Sequence, residues 1–157
     1  MAEYSLYCHN SGVTKFGGSR FSCNPEATRA AYESVKTGYA ERCGCLPCRN
    51  FMKARDLAYP EAFRALLLEL GIDSNKEAEA YHNGRVSPGR HNYGGWFHFV
   101  GTIESDKGNY VDFGNGFTAF ICRSIAPGHE ALTRGPSVQL EFLSQSVPWV
   151  LDEPEPP

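Results

Sequence analysis

Apolar positions in the first half of the chain recur with the period of an α-helix. In PEAFRALLLELG (60–71), they fall at i, i+3, i+4 and i+7 from Phe63, and Gly71 suits the position just beyond a helix end. This segment predicts an amphipathic helix with one buried face. Further helices are predicted over NPEATRAAYESVKTG (24–38) with Asn24 as its N-cap, over CRNFMKARDLA (48–58), and over DSNKEAEAYH (73–82).

After residue 82 the pattern changes to short runs rich in aromatic and β-branched residues, which are typical of strands. Hairpin-length loops separate these runs, and strands joined by hairpins are antiparallel. The sequence therefore predicts an α+β fold, with a helical N-terminal half packed on an antiparallel sheet from the C-terminal half. The predicted strands are WFHFVGTIE (96–104), YVDF (110–113), FTAFICR (117–123) and SVQLEFL (137–143).

The length of 157 residues suits one domain, which we place over residues 1–151. Within it, residues 1–23 are glycine-rich after the first dozen positions and are predicted to be a loop-rich, mobile segment. The last six residues, DEPEPP (152–157), are predicted to form an exposed, acidic, proline-rich tail.

Composition narrows the function classes. The formal net charge of −3 gives no basic surplus, so we expect no nucleic-acid partner. No stretch approaches the roughly 18 apolar residues of a membrane span, and the N-terminus lacks the features of a secretory signal. We therefore expect a cytoplasmic protein without membrane association. In that compartment the six cysteines are expected to be thiols or metal ligands and not disulfides.

The segment ERCGCLPCRN (41–50) carries three cysteines in six positions: Cys43, Cys45 and Cys48. Zinc takes four soft ligands in a tetrahedron, and the C-x-x-C spacing of the last two supplies a pair from one turn. We predict a structural zinc ion bound by these three cysteines and His82. Other candidates for the fourth ligand are Cys8, Cys23 and His98.

Three other interpretations of these residues stay open. CLPC opens a predicted helix, where the dipole stabilises a thiolate, as a thiol-disulfide oxidoreductase would need; no βαβ pattern surrounds it. The cysteines are also compatible with small buried core residues. Alternatively, His82, His91 and His98 converge on a catalytic ion in a metal-dependent hydrolase, although no H-E-x-x-H motif supports this.

Three segments, GYAERCGCLPCRNF, FRALLLELGID and YGGWFHFVG, resemble segments of small uncharacterised bacterial proteins. The resemblance spans residues 30–150 and implies a bacterial protein, with no activity attached. The sequence as a whole thus favours a zinc-stabilised module that binds a protein or a small molecule, and it does not identify an enzyme.

Overall fold

The computed structural model describes Cys8 and residues 12–157, and in that part of the chain seven strands form one antiparallel sheet. The strands are β1 Thr14–Phe16, β2 Ser19–Cys23, β3 Glu79–Ser87, β4 Arg90–Ser105, β5 Val111–Gly114, β6 Phe117–Arg123 and β7 Ser137–Pro148. Their order in the sheet is β1-β2-β4-β7-β6-β5, and β3 also pairs with β4. The long strand β4 therefore has β7 along one side, with β3 and then β2 along the other.

The helices lie mainly between β2 and β3. Two predictions are confirmed: the Asn24 side chain caps the first helix by accepting from the Ala27 N–H at 3.0 Å, and Gly71 ends the fourth at φ 82°. No described helix is long and apolar enough to cross a membrane. The helices are α1 Pro25–Glu33, α2 Tyr39–Cys43, α3 Leu46–Ala58, α4 Glu61–Leu70 and α5 Glu130–Thr133.

Aromatic side chains fill the space between the helices and the sheet. The Phe63 ring on α4 lies 4.6 Å from Phe117 on β6, and Tyr59 lies 5.4 Å from Phe142 on β7, centroid to centroid. Phe97 on β4 is fully buried in the same cluster. Large buried aromatic rings contribute much apolar area each, so this cluster fixes α3 and α4 against the sheet.

The α+β class is confirmed, but the helical N-terminal half is not, because β1 and β2 form a hairpin before α1. Gly17 and Gly18 turn the chain between them at φ 56° and 81°, which favours glycine. The prediction of a mobile 1–23 segment falls in part on residues 1–7 and 9–11, which lie outside the described residues. Over 12–23 the chain is mainly strand.

The helix predicted over 73–82 is wrong. Residues 71–78 form turns and irregular backbone, and β3 begins at Glu79 and continues to Ser87. Tertiary contacts override the helical pattern there: Glu77 is completely buried, and Ala80 pairs with Gly95 of β4.

Cys8 and Cys23 form a disulfide, with their Cα atoms 5.9 Å apart. The prediction of thiols or metal ligands is therefore wrong for this pair. Compartment arguments from sequence could not anticipate it, because the pairing depends on where β2 ends relative to a cysteine 15 positions earlier.

The C-terminal segment is attached to the domain through its two last glutamates. Glu153 pairs with Arg49 at 2.9 Å, and its backbone carbonyl accepts from the Trp149 indole N–H at 2.8 Å. Glu155 contacts the β3–β4 hairpin through Gly89 and Arg85. These hydrogen bonds and ion pairs attach the C-terminal segment to the folded domain at Glu153 and Glu155.

A buried ion pair joins α3 to the approach to β3. The Arg55 guanidinium donates to the Glu77 carboxylate at 2.8 Å, with side chains 5% and 0% exposed. The second carboxylate oxygen accepts from the Ala40 N–H at 2.8 Å, and the Glu77 carbonyl accepts from the Tyr39 N–H at 3.0 Å. One glutamate thus connects α2, α3 and β3.

We predict that Glu77→Ala lowers the free energy of unfolding by about 3–5 kcal/mol, because it leaves the buried Arg55 charge without an opposite charge. Urea denaturation followed by circular dichroism measures this. The control Glu69→Ala, at an exposed position on α4, is expected to change it by less than about 0.5 kcal/mol. A loss at Glu77 below about 1 kcal/mol, the range of exposed pairs, would contradict the prediction.

Candidate metal centre

The three clustered cysteines lie on the turn that joins α2 to α3. Cys43 is the last residue of α2, and Gly44 follows at φ 67°, where its N–H donates to the Ala40 carbonyl at 3.1 Å. Cys45 is the N-cap of α3, and Cys48 is the third helical residue. Side chains at the N-cap and third positions are neighbours in helices generally. The left-handed glycine then turns the end of α2 back toward them.

This turn brings the sulfur atoms of Cys43, Cys45 and Cys48 within 4.8 Å of one another. Zinc–sulfur bonds of about 2.3 Å place two sulfurs of a tetrahedral site about 3.8 Å apart. The group could therefore hold a metal ion with small adjustments of side-chain torsions. Cys43 and Cys45 are exposed and Cys48 is buried, so an ion would have two accessible ligands and one from the core.

The thiols differ in their electrostatic surroundings. Hydrogen bonding to the Cys45 backbone, and then to the Cys45 and Cys48 side chains, lowers the pKa of Cys43. Burial, followed by the neighbouring sulfurs of Cys45 and Cys43, raises the pKa of Cys48. Cysteine binds a metal ion as the thiolate. The positive charge of an ion would therefore stabilise the thiolate of Cys48, which burial disfavours.

A cavity of about 190 Å³ opens beside the sulfurs. Its wall includes His82, as well as four aromatic side chains from α2, α3, β3 and β4. The charge of the Glu79 carboxylate raises the pKa of the Tyr39 phenol. The aromatic side chains are Tyr39, Phe51, Tyr81 and Tyr93.

A larger cleft of about 720 Å³ lies next to this cavity and shares Tyr39 and Glu79 with it. Charged side chains of both signs line it, among them Arg42, Arg134 and Glu130. The cysteine cluster is therefore bordered by a polar surface depression as well as by its own small cavity.

Of the four candidates for a fourth ligand, His82 shares the cavity with the cysteines. It lies outside the group of sulfurs within 4.8 Å, so its coordination remains a prediction. Cys8 and Cys23 are joined to each other by the disulfide. His98 lies on β4 with 1% exposure, in contact with Gly128, where any Cβ would collide with its ring.

The histidines of the hydrolase hypothesis are not brought together as a set. His82 and His91 are in contact, with Nε2 and Nδ1 2.8 Å apart. His98 pairs across the sheet with Gln139, away from that contact. Among the described residues, these three histidines do not form a group able to hold one ion.

Sequence reasoning missed α2 and the partners of the site that come from distant positions. A signal for α2 was present, because Gly38 and Gly44 bracket a five-residue segment that ends in Arg42 and Cys43. No local signal pointed to Glu79, since its place in the cavity wall depends on how α2 packs on β3.

No protein family, curated protein or solved structure matches this chain. The resemblance of its segments to small bacterial proteins remains a prediction, and the function is argued from the site.

We predict that iodoacetamide modifies Cys43 before Cys48 and Cys122 in the reduced, metal-free protein near neutral pH. The lowered pKa of exposed Cys43 gives more thiolate. Burial raises the pKa of Cys48, and burial also raises the pKa of Cys122, there to about 12. Time-resolved peptide mapping by mass spectrometry reports the order. Modification of Cys48 at the same rate as Cys43 would be inconsistent with this site.

Proposed function

We propose that this protein is a zinc-stabilised binding module in which Cys43, Cys45 and Cys48 supply thiolate ligands. The observation that carries the proposal is the approach of all three sulfurs to within 4.8 Å in the α2–α3 turn. Thiolate ligands in a tetrahedral arrangement favour zinc among the common divalent ions, because magnesium and calcium take oxygen ligands.

The ion would stabilise a part of the fold that is weak by itself. Helix α2 has five residues, and a helix of that length is not stable without tertiary contacts. Coordination by Cys43 on α2 and Cys48 on α3 would cross-link the two helices, and the free energy of binding would add to the stability of the folded state.

The binding function is assigned to the polar cleft beside the cluster. Its volume of about 720 Å³ suits a small molecule or a peptide segment, and Arg42 and Arg134 would favour an acidic group. Because Arg42 belongs to α2, an ion that fixes α2 would also fix this wall of the cleft. The proposal includes no catalytic step.

An oxidoreductase that uses the Cys45–Cys48 dithiol is less well supported. Such an enzyme needs a thiol of lowered pKa within the C-x-x-C pair. The lowered pKa belongs to Cys43, outside the pair, while burial raises the pKa of Cys48.

A bacterial cytoplasm, as expected from the sequence, would keep the three clustered cysteines reduced. The Cys8–Cys23 disulfide is instead typical of oxidising compartments. The zinc proposal requires only that Cys43, Cys45 and Cys48 are thiols, and all three are free cysteines in the same structure that contains the disulfide.

The test is elemental analysis of protein purified without chelators or a histidine tag. We expect about one zinc per chain, lost in Cys43→Ser, Cys45→Ser and Cys48→Ser. Cys122→Ser is the matched control, because Cys122 is a buried thiol on β6 outside the cluster, and it should retain zinc. Reduced wild-type protein that binds no zinc on reconstitution would refute the proposal, as would full retention in Cys48→Ser.

Stability gives an independent readout of the same site. At free zinc of about 100 times the Kd, binding adds about 2.7 kcal/mol to the free energy of unfolding. A strong chelator should remove this increment from wild type and from Cys122→Ser, and leave Cys48→Ser unchanged. Equal effects of the chelator on all three proteins would indicate that the ion binds elsewhere.

A further inference from the structure

A chain of hydrogen bonds leads from the C-terminal segment to the cavity beside the cysteines. The Glu155 carboxylate contacts His91 Nε2 at 2.8 Å, and His91 Nδ1 contacts His82 Nε2 at 2.8 Å. The His91 side chain is fully buried, while His82 lines the cavity. Three residues from β3, β4 and the C-terminal segment are therefore linked in series.

The Glu155 carboxylate determines which atom donates and which accepts in each of these hydrogen bonds. Hydrogen bonds from His91, and then from the Gly89 N–H and Arg85, hold the pKa of Glu155 below its usual range. An ionised carboxylate accepts hydrogen bonds and cannot donate them. His91 Nε2 therefore carries a hydrogen, and in neutral His91 the other nitrogen, Nδ1, is an acceptor.

The same reasoning applies to the His82 ring. If His91 Nδ1 accepts, the hydrogen between the rings belongs to His82 Nε2. Neutral His82 then has an unprotonated Nδ1 with a free lone pair. Among the described residues, the hydrogen bond of the His82 ring is the one through Nε2 to His91, so Nδ1 is open to a ligand. A histidine ligand to a metal commonly donates its other N–H to a neighbouring acceptor, which fixes its tautomer.

We propose that Glu155 and His91 are positioning residues that hold His82 in its Nε2–H tautomer and present Nδ1 as the nitrogen ligand to the cysteine-bound ion. The coordination part rests on the zinc site proposed above, whereas the tautomer part does not. Since His82 lies outside the 4.8 Å sulfur group, the ring must approach the sulfurs when the ion binds. A water molecule as fourth ligand is the competing outcome.

The tautomers can be measured without metal. Long-range ¹H–¹⁵N correlation spectra of the reduced, metal-free protein at about pH 8, above the usual histidine pKa of about 6.5, identify the protonated nitrogen of each ring. We expect Nε2–H for both His82 and His91, with His82 losing this preference in Glu155→Ala. A dominant Nδ1–H tautomer of wild-type His82 would overturn the inference.

Cobalt(II) is the probe for coordination, because its visible spectrum responds to the ligand set. His82→Ala should change the spectrum, and Glu155→Ala should weaken cobalt binding by about 10–100-fold, as loss of a ligand-supporting partner does. Glu153→Ala is the matched control: Glu153 anchors the same segment through Arg49 and does not bind His91, so binding should change less than about 3-fold.

Two failures are distinguishable. Wild-type protein that takes up no cobalt would overturn the zinc site and the coordination part of this inference together, whereas the tautomer part is decided by the spectra of the metal-free protein. Cobalt uptake that needs Cys43, Cys45 and Cys48, with an identical spectrum in wild type and His82→Ala, would overturn only the role of His82. Circular dichroism of each variant establishes that it is folded, and His91→Gln provides a second interruption of the chain at a different residue.

Discussion

The buried pair of Arg55 and Glu77 is the interaction on which the cysteine turn depends. Glu77 receives the Arg55 guanidinium from α3 and the Ala40 N–H from the first turn of α2, and β3 begins two residues after it. Because α2 carries Cys43 and α3 carries Cys48, the carboxylate that joins these helices also supports the turn in which their sulfurs meet. A buried charge that accepts from several donors at once is costly to disrupt. The Glu77 contacts therefore stabilise the positions of α2 and α3 on either side of the cysteine turn.

The proposed ion would complete this arrangement from the solvent side. Arg55 and Glu77 join α2 to α3 on the buried side, and coordination by Cys43, Cys45 and Cys48 would join them again at the surface. Aromatic packing fixes α3 on the sheet. The short helix α2 has little apolar surface to bury, so polar contacts hold it in place, and the proposed ion would add a further link.

The features that were predictable from sequence arise from residues close together in the chain. The Asn24 cap of α1 and the end of α4 at Gly71 depend on neighbouring residues, and the cysteine cluster follows from spacings of two and three positions. The failures are nonlocal. Residues 73–82 have a helical pattern, yet burial of Glu77 and pairing of Ala80 with Gly95 determine their structure. The link between His91 and Glu155 joins positions 64 apart, so no periodicity could reveal it.

Zinc K-edge X-ray absorption on the zinc-loaded protein decides whether the three cysteines and His82 bind one ion together, because it counts the ligands around the ion. We expect three sulfur neighbours at about 2.3 Å and one nitrogen at about 2.0–2.1 Å. An oxygen in place of the nitrogen would indicate a water molecule as the fourth ligand, so that the cysteines bind zinc without His82. A first shell with fewer than three sulfurs would contradict the assignment of Cys43, Cys45 and Cys48 as joint ligands.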